Sequence, residues 1–279
     1  MADETSTGLP SAPWRLLTTG AHDGATNMAI DEAILTAIAE DRSPPTVRFY
    51  GWEPPCVSIG YAQSMRDEID LEACRQRGYT WVRRPTGGRA VLHIDELTYS
   101  IAAPQADPRM AGDIVTCYRR LSKGLVVGLA RLGCAVLQAE EQPEARSARS
   151  SACFDVPSHY EVTALGRKLV GSAQVRRKGV VLQHGALPLY GDVARVADVL
   201  ALSERERLGL GEKLRRRAIA LDEVLGRSVT WDEVVSALAD GFAQALNLTL
   251  TPGDLSSFEL STAAQLQERY AGDEWTYSR

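Results

Sequence analysis

The chain of 279 residues lacks any hydrophobic run that could cross a bilayer. Its longest, Leu125-Val126-Val127-Gly128-Leu129-Ala130, falls far short of the roughly 20 apolar residues a spanning helix needs. No basic, apolar leader opens the sequence, so a soluble protein in the cytoplasm with no membrane partner is expected. Basic charge is not in excess either. A formal net charge of −5 speaks against nucleic acid as the default partner, because that role calls for a basic face. The five cysteines, Cys56, Cys74, Cys117, Cys134 and Cys153, are odd in number and include no C-x-x-C pair, which excludes a disulfide framework or zinc finger as the first reading. Histidine is scarce, and neither His93 nor His184 has partners at a spacing that reads as a metal site. Internal repeats, low-complexity tracts and linkers after residue 13 are also absent.

What is present is a chain with 44% hydrophobic residues, enough for a sizeable core, in a mixed order of strands and helices. Residues 1 to 13 are small, polar and proline-containing and read as a flexible tail. The rest, 14–279, reads as one catalytic-size domain with its core at about 30–250. Trp14 to Leu17 reads as a first strand, and Asn27 as the cap of a helix with Met28, Ala33, Ile34 and Ile38 inward. Strands are expected at 47–50, 56–61 and 79–83, with a short helix capped by Asp70 between the last two. The clearest helix spans Asp113 to Leu132, where Ile114, Tyr118, Leu121, Leu125, Leu129 and Leu132 recur at spacings of three and four. A β-meander follows from 159 to 190, turning at Gly166 and Gly179. The remainder reads as helical, with Thr230 and Glu233 at capping-box spacing. The fold class expected is α+β, a mixed β-sheet flanked by helices with a helical C-terminal segment.

Two stretches carry the composition of a site. In Arg83-Arg84-Pro85-Thr86-Gly87-Gly88-Arg89-Ala90-Val91-Leu92-His93, paired glycines flanked by basic residues let backbone approach a ligand and offer N–H groups to an anion or polarised carbonyl. The same residues also suit an ordinary hairpin turn. In Gly166-Arg167-Lys168-Leu169-Val170-Gly171-Ser172-Ala173-Gln174 a lysine leaves a turn and is followed by small residues that leave room beside it. By spacing alone Lys168 is a solvated turn lysine. Free cysteine is mostly a small buried hydrophobe, and Cys56, Cys74, Cys117 and Cys134 all fall in apolar patterns. Cys153 differs. It closes the polar, unpatterned stretch from Gln138 to Ser151, and a nucleophilic thiol needs a basic or cationic neighbour such as His159, His184 or Lys168.

Together these blocks resemble the biotin/lipoate protein ligase superfamily. The glycine stretch with Glu96-Leu97-Thr98-Tyr99-Ser100 matches its signature, and Gly166 to Gln174 with Gln183-His184-Gly185 matches its second block. Asn27 to Ala33 and Asp273-Glu274-Trp275 extend the likeness to the C-terminus. Arg89 stands where the ATP-using ligases have a third glycine, and Cys153, fifteen residues before Lys168, stands where an octanoyltransferase branch keeps its nucleophile. That resemblance implies transfer of octanoate from octanoyl-acyl carrier protein through a Cys153 thioester to a lysine of the lipoyl domain of the glycine cleavage H protein. It implies that Lys168 lowers the thiol's pKa, and that Arg84, Gly87, Gly88, Arg89, His93, Gly171, Ser172 and His184 bind substrate. No cofactor and no metal are implied, and a monomer is expected. The alternatives are an ATP-dependent lipoate ligase and an amidotransferase acting between lipoyl domains.

Overall fold

The computed structural model describes residues 8–138 and 162–279. Eleven strands and nine helices are found among them: β1 (Ala12–His22), α1 (Gly24–Ala39), β2 (Thr46–Trp52), β3 (Cys56–Ile59), α2 (Met65–Glu68), α3 (Leu71–Gln76), β4 (Thr80–Arg83), β5 (Val91–His93), β6 (Glu96–Pro104), α4 (Ile114–Arg131), β7 (Val136–Gln138), β8 (Val162–Ala164), β9 (Arg167–Arg177), β10 (Val180–Pro188), α5 (Glu204–Arg217), α6 (Leu221–Leu225), α7 (Trp231–Leu246), β11 (Leu248–Pro252), α8 (Ser257–Ala271) and α9 (Asp273–Thr276). The strands form an eight-stranded mixed sheet, β11-β1-β2-β6-β10-β9-β8-β7, and a small sheet, β4-β3-β5. This is the expected α+β layout. No helix among the described residues is long and apolar enough to cross a membrane.

Period-two alternation divides the large sheet into two working faces. Val47 and Phe49, Leu97, Tyr99 and Ile101, and Val181 and Leu187 point into the main core, where α4 and α7 cover them with Leu121, Leu125, Leu238 and Phe242. The two helices approach closely because a Cβ on Gly241 would lie 2.3 Å from the Gly128 nitrogen, so only glycine fits the crossing. The intervening residues, including Arg48, Tyr50, Thr98, Ser100 and His184, point to the other face. There α1 and α8 cover one part, and the small sheet, which packs against α3 and the short turn of helix at Val193–Val199, covers the rest. That second face holds the site.

Some expectations are corrected. Helix α1 is capped by Asp23, whose carboxylate accepts from Thr26 N at 2.8 Å; Asn27 is buried one turn inside and donates to the carbonyls of His22 and Gly51. The helix is apolar almost all round, so its pattern gives no sharp start. Strand β1 begins at Ala12, two residues inside the expected tail. Ile114 is 53% exposed because α4 starts beyond the edge of the core, although Tyr118, Leu121, Leu125 and Leu129 are buried as the spacing requires. Thr230 caps α7 from one side only, since the Glu233 carboxylate turns to Arg227. The glycine stretch is not a hairpin: β4 runs parallel and β5 antiparallel to β3, on its opposite edges, so residues 84–90 cross the end of β3. Asp70 does cap α3, as its position predicts.

Candidate active site

Crossing the end of β3 forces the glycine turn against Gly60, where an added Cβ would lie 2.1 Å from the Gly88 carbonyl oxygen. The turn is clamped from within. The buried Arg84 guanidinium donates to the carbonyls of Gly87, Arg89 and Ser58, each at 2.8 to 3.0 Å. Arg83 is fully buried and donates to the carbonyls of Gly60, Tyr61, Gln63 and Thr276, while Trp275 Nε1 donates back to the Arg83 carbonyl. These bonds tie the C-terminal Asp273-Glu274-Trp275 segment to the turn.

Behind the turn lies a small cavity of about 50 Å³ that opens to the surface. The β9–β10 pair makes its floor, with the small residues Gly171, Ser172 and Ala173 facing Ala186, Gly185 and the larger His184. Met28, Tyr50, Trp52 and Val91 make apolar walls, and Arg84, Gly88, Ser58, His93 and Thr98 close it. A mostly apolar cleft with a few placed polar groups is the usual form of a small-ligand site. Of the expected binding residues the cavity gathers Arg84, Gly88, His93, Gly171, Ser172 and His184. Gly87 and Arg89 are not part of its lining. Gly87 contributes its carbonyl to Arg84, and Arg89 faces outward, 3.8 Å from Glu68.

Each histidine of the wall is held between a carboxylate and a hydroxyl. His93 Nδ1 lies 2.8 Å from Glu96 Oε1 and Nε2 lies 2.7 Å from Ser58 Oγ, with the Trp52 ring stacked on the imidazole at 3.9 Å. Because an ionised carboxylate only accepts, Nδ1 carries the proton. His184 repeats the pattern, with Nε2 2.7 Å from Thr86 Oγ1 and Nδ1 3.4 Å from Asp31 Oδ2. Burial pushes the His184 imidazole below its ordinary pKa against the opposing pull of Asp31, so it is neutral at neutral pH. Burial alone would raise the Asp31 carboxyl, but Arg48 at 2.7 Å and His184 hold it below the usual carboxylate range. Spacing gave no hint of Ser58, Glu96 or Asp31 as wall partners. Asp31 carried a signal, since it and Glu32 are the two charged residues inside the mostly apolar run Met28 to Ile38.

Lys168 is 5% exposed, not a solvated turn lysine. A bulge explains its setting: Val170 pairs with Val162 and Lys168 with Thr163, leaving Leu169 extra. Leu169 and Val170 therefore both enter the main core, and Lys168 stands on the opposite face of β9, three residues before Gly171 of the cavity floor. Its carbonyl accepts from Ile219 N at 3.0 Å. Cys56, Cys74, Cys117 and Cys134 are buried, as their apolar settings predict. Burial pushes the Cys56 thiol up to about 12 and those of Cys74 and Cys134 to about 11. Cys153 lies outside the described residues.

Gly88 offers a direct check on the turn. Its φ of 96° is unfavourable for any L side chain, and a Cβ would lie 2.7 Å from the pinned Arg84 Nη2. Gly88→Ala is expected to cost about 1–2 kcal/mol in a denaturation midpoint series. Steady-state kinetics should show a raised KM for the substrate that the cavity holds; an unchanged KM would separate the turn from the cavity.

Residues 23–243 match the lipoyl protein ligase A/B catalytic domain. The chain is 47% identical to octanoyltransferase LipM of Kyrpidia tusciae over 95% of this chain and 99% of that protein. It is 42% identical to octanoyltransferase LipM of Bacillus subtilis, over 95% and 98% respectively. Among solved structures, lipoate-protein ligase A bound with ATP superposes with a TM-score of 0.79 at 26% identity, covering 95% of this chain and 98% of the other. The bipartite lipoate protein ligase of Thermoplasma acidophilum gives 0.80 at 26% identity, over 95% and 96%. A cavity walled by the glycine turn and the β9–β10 floor, on a chain this similar to acyl-transferring relatives along nearly its whole length, places the protein among the LipM-type octanoyltransferases of the lipoyl protein ligase A/B catalytic-domain family.

Proposed function

We propose that the enzyme carries octanoate from the thioester of octanoyl-acyl carrier protein to a lysine of the H-protein lipoyl domain through an octanoyl thioester on Cys153, acting as a monomer. The observation that carries this reading is the cavity itself, a mostly apolar pocket bounded by Gly88 of the glycine turn and floored by Gly171, Ser172, Ala173, Gly185 and Ala186, with His184 as the one large side chain there. The state of the other thiols supports the choice of nucleophile. Buried and pushed up in pKa, Cys56, Cys74, Cys117 and Cys134 supply almost no thiolate near neutral pH, which leaves Cys153.

In the first half, the Cys153 thiolate attacks the thioester carbonyl; a new C–S bond forms, the old one breaks, and the carrier leaves as a thiolate that takes up a proton. Lys168 supplies positive charge that favours the Cys153 thiolate. In the second half, the acceptor amine attacks the acyl-enzyme, the C–S bond breaks, and the amine proton passes to the departing Cys153 sulfur. Thioester exchange is near neutral and amide formation from a thioester is downhill, so the sequence balances without ATP. The Gly88 backbone of the turn receives the carbonyl, and the walls formed by Met28, Tyr50, Trp52 and Val91 receive the acyl chain.

Octanoyl-acyl carrier protein incubated alone with the enzyme should add one octanoyl mass to the chain, removable by hydroxylamine. Added H protein should then discharge it with no ATP present. Octanoylation of H protein that requires ATP would assign the chain to ligation instead, and discharge only by an already octanoylated lipoyl domain would assign it to amidotransfer.

A further inference from the structure

The β2, β6 and β10 register places Arg48, Ser100 and His184 in a single cross-strand row on the face that holds the cavity. One carboxylate reads the whole row. Asp31, descending from α1 and fully buried, has Oδ1 2.7 Å from Arg48 Nη1 and 2.8 Å from Ser100 Oγ, and Oδ2 3.4 Å from His184 Nδ1 and 3.1 Å from the Tyr50 hydroxyl that donates to it. Arg48 is pinned in turn by Asn27 Oδ1 at 2.8 Å and lies over the Tyr50 ring at 3.8 Å. His184 reaches out of the row to Thr86, whose side chain is fully buried and which immediately precedes Gly87 and Gly88.

The directions of these bonds are fixed by chemistry. A carboxylate paired with arginine cannot donate, so His184 presents Nδ1–H to Asp31, and the neutral ring has only a lone pair left at Nε2. The Thr86 hydroxyl must therefore donate to Nε2. A chain of defined polarity thus runs from α1, through the large sheet, to the turn carried by the small sheet, crossing the cavity wall between them.

We propose that Asp31 and His184 form a positioning relay that fixes Thr86, and with it the placement of the Gly87–Gly88 turn relative to the β9–β10 floor. This rests on the reading of that turn as the receiver of the acyl carbonyl. Neither Asp31 nor Thr86 lines the cavity, so both act through His184 and the turn. A displacement of about 1 Å in a group that meets a reacting carbonyl costs on the order of 100-fold in rate, which sets the expected size of the effect.

The test combines spectroscopy with kinetics. Nitrogen-15 correlation of His184 in the wild-type enzyme should show the Nδ1–H tautomer; an Nε2–H tautomer would overturn the relay. Thr86→Val keeps the shape and removes the hydroxyl, and should lower the octanoyl transfer rate by about 100-fold, with loss in kcat as well as a raised KM. Thr86→Ser should recover most of it, which simple loss of packing would not explain. Asp31→Asn leaves Arg48 buried without its partner, so it is made together with Arg48→Leu. In that pair His184 should lose its tautomer preference and transfer should fall as in Thr86→Val. A wild-type transfer rate in Thr86→Val, or an unchanged tautomer in the double variant, would defeat the proposal. A wild-type enzyme that transfers no octanoate at all would instead defeat the functional reading.

Discussion

Cys153→Ser is expected to lose octanoyl transfer by roughly four orders of magnitude or more, the scale on which removal of a nucleophile acts. A serine hydroxyl is not ionised near neutral pH, and a neighbouring lysine charge of the kind proposed for Lys168 does not bring an alcohol within reach of ionisation. No described cysteine can replace it. Cys56 lies fully buried with its thiol pushed up to about 12, and Cys74 and Cys134 are close behind at about 11. The hydroxylamine-labile mass increment should vanish with the rate, while the far-ultraviolet circular dichroism stays that of the parent. Retention of the increment in Cys153→Ser would move the nucleophile elsewhere, and retention of full ATP-dependent octanoylation without an increment would make the cysteine incidental.

The sequence disclosed the parts of this molecule that depend on local chemistry. Asp70 caps the short helix its position predicts, the helix expected from Asp113 to Leu132 is found at Ile114–Arg131, and the β-meander turns where Gly166 and Gly179 permit positive φ. The glycine stretch was legible as a site because paired glycines with flanking arginines are an unusual composition. What it does was less legible. Arg84 and Arg83 look like ligands for an anion, yet their guanidinium groups clamp backbone carbonyls of the turn and of the C-terminal segment. That distinction depends on β4 and β5 flanking β3, a non-local pairing that no turn motif encodes. Lys168 needed the bulge at Leu169 to leave solvent, and bulges leave little trace in a pattern of alternation. Asn27 was misread for the opposite reason. A good capping residue followed by an apolar run looks like a helix start, but on a helix buried nearly all round the run begins before the amphipathic pattern does. The pairing of Asp31 with Arg48, Ser100 and His184 spans α1 and three strands, so sequence shows only its symptom, a charge where the core should be apolar.

Arg48→Leu is expected to destabilise the fold by about 3–5 kcal/mol at pH 7, because it strands a fully buried carboxylate. In the wild-type protein the Asp31 carboxyl is held below its unfolded pKa of about 3.9. Its contribution to stability is therefore complete above that value and is lost only as pH falls through the lower folded one. Removing Arg48 leaves burial, which acts in the opposite direction, as the dominant influence. The carboxyl then titrates above its unfolded value, and its cost is greatest at neutral pH and relieved on acidification. The stability gap between wild type and variant, measured by urea denaturation, should consequently narrow between pH 7 and pH 5. Adding Asp31→Asn should close much of the gap at pH 7, since no buried charge then remains, although the bonds from Arg48 to Asn27 and Thr19 are still missing. A gap that stays constant with pH would mean that lost packing over the Tyr50 ring, and not the orphaned carboxylate, accounts for the destabilisation.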